Sequence, residues 1–327
     1  MDSAHPEQDV RTGQLEDVDD LLQVADLFYL QAVPQKQIAD RLGVHPSTVS
    51  RLLAEARSRG LVHFTLCPPL DLDLARQLRE HLEGTVVRDA LVSPPGRSAV
   101  AMAAARYFEQ VVGRSSMTLV LDGGFTVRDF VDGLKPGLYQ RVTIAPIASD
   151  PPSYDVGAYE LMTRLSVKYP VHVRCLKPPL RLDPVLQADL EAVRRAAADA
   201  DVVVIGAGPL LPRFSALEFM RHLGLDLDRI RATYTQIACL AGYYPMDEHG
   251  QPVRMPELEE RLPRTLRFDD LKAMAGGDRC RSILMAAGVE KARPVASVIE
   301  AGLCNTLIAD RDLALELLHL PVQPKNG

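Results

Sequence analysis

The chain has 327 residues, 47% of them hydrophobic and 24% charged, with a formal net charge of −6. That is the composition of a soluble globular protein with length for two domains, each with its own core. An acidic balance excludes a generally basic nucleic-acid coat. Aromatic content of 5% without tryptophan argues against stacking platforms for single strands.

In chain order, residues 1–17 read as a flexible acidic tail, polar enough to exclude a signal peptide. A first helix is expected over Val18–Leu30, because Leu21, Val24, Ala25 and Phe28 recur at helical spacing and Asp17, Asp19 and Asp20 suit its positive end. Pro34 separates it from QKQIADRLGVHPSTVSRLLAEA, residues 35–56. This stretch has the spacing of a helix-turn-helix. Ala39 is small enough for a close helix crossing, Gly43 can take the left-handed conformation that ends the first helix, and Pro46 suits the first position of the second. Ile38, Leu42, Val44, Val49 and Leu52 face inward.

Ser47, Thr48, Ser50 and Arg51 then occupy the polar face of the second helix, where a major groove would meet them. Lys36, Gln37, Pro46 and Arg57 complete the candidate DNA-contact set, with Arg59 beside them on the phosphate backbone. From Gln35 to Leu66, five basic residues (Lys36, Arg41, Arg51, Arg57, Arg59) stand against two acidic ones (Asp40, Glu55), a local +3 in an acidic chain. The plain alternative is a helical hairpin with a solvated face. LVHFTL, residues 61–66, alternates like a strand and could form a wing. The expected DNA-binding domain is 18–67, with Cys67, Pro68 and Pro69 opening a linker.

From about Leu70, helices alternate with short apolar runs, as in a three-layer α/β domain with a mainly parallel sheet over 68–327. Strands are expected at Thr85–Val92, Met117–Leu121, Val142–Pro146, His172–Leu176, Val202–Ile205, Thr233–Ile237, Ser282–Ala286 and Thr306–Ala309. Helices are expected at Ala99–Val112, Val127–Leu134, Tyr159–Lys168, Pro184–Asp199, Ser215–Leu223, Glu290–Glu300 and Arg311–Leu318. The Pro- and Arg-rich stretch Gln251–Leu266 reads as a surface excursion.

Three glycine turns after apolar runs are candidate anion sites. They are DGGFT with Gly123, Gly124 and Thr126, GAGP with Gly206 and Gly208, and AAGVEK with Gly288 and Lys291. Each glycine could equally serve strand-to-helix packing. No Walker spacing and no G-x-G-x-x-G occurs, which disfavours nucleotide hydrolysis and hydride transfer. Asp310 suits a helix cap and Asp247 with Gly250 a turn. The five cysteines are scattered, with no C-x-x-C pair, and the histidines lack metal spacing. Buried thiols of a reduced cytoplasmic protein, with no metal and no cofactor, are expected. No apolar run reaches the length of a membrane span.

The residues QKQIADRLGVHPSTVSRLLAEARSRGLV (35–62), Asp201-Val202 through Gly206, Ala241-Gly242-Tyr243-Tyr244 before Asp247 and Gly250, and AAGVEKARPVASVIEAGLCNTLIADRDLALELL together resemble the SorC/DeoR-type sugar-binding transcriptional regulators, over about Val18–Leu318. The resemblance implies a bacterial, cytoplasmic homo-oligomer, dimer or tetramer, on a double-stranded DNA operator. It also implies a large domain with the fold of ribose-phosphate isomerases and glucosamine-phosphate deaminases that binds a phosphorylated sugar, with Gly124, Thr126, Gly206, Gly208 and Lys291 at the site. The chain departs from the family pattern at Asp122-Gly123-Gly124-Phe125-Thr126 and at Ala238-Cys239-Leu240, where the family often carries G-D-I. Two rivals remain: an isomerase- or deaminase-like enzyme, for which no acid near Cys239 offers a proton carrier, and a regulator with a non-sugar effector or none.

Overall fold

A computed structural model describes residues 17–62, 64, 67–111, 116–135, 141–151, 153–168, 173–175 and 187–322. The acidic tail before Asp17 lies outside them. The chain divides into two compact units, Met1–Leu66 and Cys67–Gly327.

The first unit is helical. Helix α1 (Val18–Ala25) is capped by the Asp17 carboxylate, which accepts from the Val18 N–H at 2.7 Å. The regular helix expected to Leu30 does not persist. Asp26–Leu30 winds as a π-helix, with Leu27, Phe28 and Tyr29 packed part-buried against the helical core. Helix α2 (Gln35–Leu42) ends at Gly43, whose φ of 64° is the left-handed conformation the spacing required. Helix α3 (Pro46–Ser58) starts with His45 as cap, its ring Nδ1 accepting from the Ser47 N–H at 3.3 Å. Ile38, Ala39, Val49 and Ala56 are fully buried with Leu21, Val24, Leu52 and Leu53, which makes one small core. Of the expected wing, His63, Thr65 and Leu66 lie outside the described residues. Leu61, Val62 and Phe64 belong to no strand, and the exposed Phe64 meets Tyr29 edge-on at 5.1 Å.

The second unit opens with α4 (Leu72–His81), capped by Asp71. Strands β1 (Asp89–Ser93), β2 (Ser116–Leu121), β3 (Arg141–Pro146), β4 (Val173–Cys175), β5 (Val202–Gly208), β8 (Arg281–Ala286) and β9 (Thr306–Asp310) form a parallel sheet in the order β1-β9-β8-β5-β2-β3-β4. The short strands β6 (Cys239–Ala241) and β7 (Tyr244–Met246) run antiparallel off the end of β5. Leu119, Leu121, Val202, Val204, Ile283 and Met285 face α5 (Arg97–Val111), α6 (Phe125–Gly133) and α7 (Ala158–Lys168). Their alternates Val120, Val203, Ile205, Leu284 and Ala286 face α8 (Gln187–Ala198), α9 (Ser215–His222), α12 (Phe268–Gly276), α13 (Ala292–Ala301) and α14 (Arg311–His319). Burial on both faces is why these strands read as continuous apolar runs.

Three expectations are corrected. Thr233–Ile237 is no strand. The Asp226 carboxylate accepts from the Arg229 N–H at 3.1 Å and starts α10 (Leu227–Thr233), which runs into that segment. GAGP is no turn at its start, because β5 continues through Gly206 to Gly208, where Ala207 and Gly208 pair with β6. Gln251–Leu266 is no mere excursion: Met255, Leu258, Leu262 and Leu266 are buried in the main core, around the short α11 (Pro256–Glu259). Of the cysteines, Cys239, Cys280 and Cys304 are buried, and burial pushes each thiol up to about 12.

Candidate functional site

The sheet order reverses between β5 and β2: after β2 the chain moves outward through β3 and β4, and after β5 it moves the other way through β8 and β9. In open α/β sheets the crevice at the carboxyl ends of such strands takes ligands. A cavity of about 490 Å³ opens there, and all six predicted effector residues, Gly123, Gly124, Thr126, Gly206, Gly208 and Lys291, line it.

Two carboxylates hold the turns in place. Asp122, buried where β2 ends, accepts from the N–H groups of Gly123 (2.8 Å), Gly206 (3.0 Å) and Gly242 (3.1 Å). Asp310, at the end of β9, accepts from Gly96 (2.9 Å), Gly288 (3.1 Å) and Leu313 (3.1 Å). Its capping of α14 matches the expectation, and the other bonds tie two further glycine turns to the same strand end. Burial raises the Asp122 carboxyl to about 7 against the lowering effect of its three amide donors. Behind the wall, Asp150 accepts from the Tyr243 hydroxyl at 2.7 Å and from the N–H groups of Ala158 and Tyr159, and burial raises it to about 6. A Cβ at Gly123 would stand 2.7 Å from that Tyr243 oxygen, so only glycine fits the turn as built.

The cationic side consists of Lys291, Arg97 and Arg213. Lys291 is half-buried in the 3-10 turn Val289–Lys291 that leads into α13, and its ammonium makes no hydrogen bond or ion pair among the described residues. Burial and the neighbouring Arg97 charge lower its ammonium to about 8, while Asp310 and Asp122 oppose the shift. Arg97 pairs with Asp129 at 2.6 Å and lies over the Phe125 ring at 5.4 Å. Arg213 pairs with Glu290. Sequence reasoning missed Arg97, Phe214, Ser215 and Leu240 in the cavity lining. Gly96-Arg97 before α5 was a further glycine turn in the sequence, whereas Phe214 and Leu240 come from elements with no local signal. Among the described residues no cluster of three or more His, Cys, Asp or Glu could hold a metal, and no helix is long and apolar enough to cross a membrane.

In the helical unit, Lys36, Gln37, Pro46, Ser47, Ser50, Arg51 and Arg57 are exposed, and Thr48 is half-buried. The Arg51 guanidinium makes no hydrogen bond or ion pair among the described residues. Arg57 donates to the Leu53 carbonyl at 3.3 Å, and Arg59 pairs with Glu55 at 2.6 Å. The side chains of α3 therefore present one free guanidinium among hydroxyls, a set able to reach base edges and phosphates.

A family model described as "Putative sugar-binding domain" matches residues 70–319. The chain is 24% identical over 321 residues to the sorbitol operon regulator of Klebsiella pneumoniae, covering 93% of this chain and 98% of that protein. It is 22% identical over 309 residues to the uncharacterized transcriptional regulator YjhU of Escherichia coli (strain K12), covering 84% and 89%. The crystal structure of the full-length Klebsiella regulator SorC superposes with a TM-score of 0.63 at 22% identity, over 93% of this chain and 99% of that one. The "Putative Sugar-Binding Domain of Transcriptional Repressor from Vibrio fischeri" superposes with a TM-score of 0.59 at 17% identity, over 76% of this chain and 98% of that one.

Proposed function

Because the chain belongs to the SorC/DeoR-type family of sugar-binding transcriptional regulators, we propose that its helical unit binds a double-stranded operator and that the large unit binds a small phosphorylated, sugar-like effector which changes operator affinity. The observation that carries the effector half is the cavity where six residues nominated from sequence converge, the unpaired Lys291 among them. The Lys291 ammonium and the Arg97 guanidinium suit a phosphate. The DNA half rests on the exposed Ser47, Ser50 and Arg51 of α3 and on the local positive charge.

In this reading Lys36, Gln37, Pro46 and Arg57 position the module on phosphates, Thr48 assists from its half-buried site, and two modules of a homodimer or tetramer meet two half-sites. A regulator rather than an enzyme is favoured because Asp122 and Asp310 each accept three backbone N–H groups. The test is selection of duplexes from a random pool by the full chain, followed by Arg51→Ala. Loss of one bidentate base contact weakens specific binding by about 1–3 kcal/mol. No enrichment of any duplex would refute the DNA half.

A further inference from the structure

Two arginines line the cavity, and they are fastened differently. Arg97 is anchored: its guanidinium donates to Asp129 at 2.6 Å, and Asp129 also accepts from Arg128 at 3.0 Å. Arg213 comes from the segment 209–214 between β5 and α9, and its guanidinium donates to Glu290 in the turn that carries Lys291. The two side chains of that pair are 71% and 44% exposed. An ion pair so open to water contributes little, and its partners exchange at small cost. Glu290 also stands beside the cavity lining, since a Cβ on the lining residue Gly288 would be 3.1 Å from its carboxylate oxygen.

The backbone around Arg213 is held while its side chain is not. Pro209 and Pro212 fix two φ angles of the segment. The Leu210 carbonyl accepts from the Arg231 guanidinium at 3.2 Å, and the Leu211 carbonyl from the Phe214 N–H at 3.3 Å. Arg213 itself has a φ of 69°. Among the described non-glycine residues only Ala32 and Tyr243 share a positive φ, and Tyr243 lines the cavity too. Left-handed backbone at such residues is costly and gathers at ligand clamps. The guanidinium lies over the ring of Phe214, another lining residue, at 5.7 Å.

We propose that Arg213 is a further binding residue for the effector's phosphate and that Glu290 is its exchangeable counter-ion. On binding, the guanidinium leaves the Glu290 carboxylate for phosphate oxygens and joins Lys291 and Arg97. This rests on the reading of the cavity as a phosphate site and adds a residue that tunes its affinity. The planar guanidinium fork meets a phosphate through two parallel N–H donors, so the new contact outweighs the exposed pair it replaces. Rotation of the side chain on a held backbone is enough. The exchange also unties the segment 209–214 from the turn Val289–Lys291, so ligand binding alters a contact between two elements of the large unit.

The experiment is calorimetric titration of the full chain with inorganic phosphate, in wild type, Arg213→Ala, Glu290→Gln and the double variant. Arg213→Ala should weaken phosphate binding by about tenfold, the loss of one charge-assisted contact. Glu290→Gln should tighten it by about two- to fivefold, the worth of an exposed ion pair. The double variant should match Arg213→Ala, because Glu290 acts only through Arg213. Phosphate affinity unmoved by Arg213→Ala would overturn the proposal. So would a Glu290→Gln gain of equal size with and without Arg213, the mark of charge alone, or weaker binding in Glu290→Gln, the mark of a fixed brace. If inorganic phosphate fails to bind wild type, or binds Lys291→Ala as tightly as wild type, the anion site itself fails and the proposal with it.

Discussion

Gly123→Ala probes the contact on which the cavity wall is built. The added Cβ would stand 2.7 Å from the Tyr243 hydroxyl, 3.0 Å from the Val156 carbonyl oxygen and 3.2 Å from the Gly157 Cα. None of these neighbours yields easily. Tyr243 has a φ of 62°, donates to Asp150 at 2.7 Å and packs on Phe219, and the Val156 carbonyl accepts from the Gly124 N–H at 2.7 Å. Overpacking a closed site costs about 1–3 kcal/mol, and two backbone contacts put this one near the upper end, about 3 kcal/mol. At roughly 2–4 °C per kcal/mol for a unit of this size, the melting temperature should fall by about 6 °C or more. Gly43→Ala is the control in the helical unit. Its φ is 64° and no heavy atom lies within 4 Å of the new Cβ, so only strain of about 1–2 kcal/mol is expected. Scanning calorimetry of the full chain reads both. A Gly123→Ala protein melting within about 1 °C of wild type would refute the close packing of the turn on Tyr243.

The pH dependence of stability follows from Asp122 and Asp150, raised from 3.8 to about 7 and about 6. Between pH ~4 and ~7 the native state binds more protons than the unfolded one, so stability falls as pH rises through that window, by up to about 1.4 kcal/mol per pH unit for each group. Asp122→Asn should flatten the upper part of this profile in denaturation curves, and an unchanged slope between pH 6 and 7 would contradict the assignment. Phosphate affinity should fall as pH rises through about 8, where Lys291 loses its charge, and calorimetry at pH 7 and pH 9 shows whether it does. Ala39→Leu, placing three more heavy atoms at a fully buried helix crossing, should cost the helical unit about 1–3 kcal/mol, visible as earlier loss of helical ellipticity on heating.

The helix-turn-helix was legible because its determinants are local: Ala39, Gly43 and Pro46 act through neighbours within a few residues. The parallel strands were legible as apolar runs for the opposite reason, that both their faces are buried. Thr233–Ile237 misled because β-branched and aromatic residues there suit a strand, while the Asp226 cap and the bond from the Tyr234 hydroxyl to Glu257 at 2.6 Å select another conformation. Met255, Leu258, Leu262 and Leu266 carried a readable apolar period inside Gln251–Leu266, masked by proline and arginine. The glycine turns of the cavity were visible in sequence. Its Phe214 and Leu240 wall was not, because pairing of Gly208 with Leu240 spans 32 residues and no local spacing encodes it. Asp122 and Asp310 likewise draw their amide donors from distant turns.

The most direct test of the account is fluorescence anisotropy of a selected duplex titrated with the full chain, with and without a phosphate ester shown by calorimetric titration to bind the chain, in wild type and in Lys291→Ala. Coupling between the two units predicts that the ester changes duplex affinity in wild type by about 5- to 150-fold. The Lys291→Ala protein should bind the duplex normally and ignore the ester. An ester that binds the wild-type cavity yet leaves duplex affinity unchanged would contradict the regulatory reading.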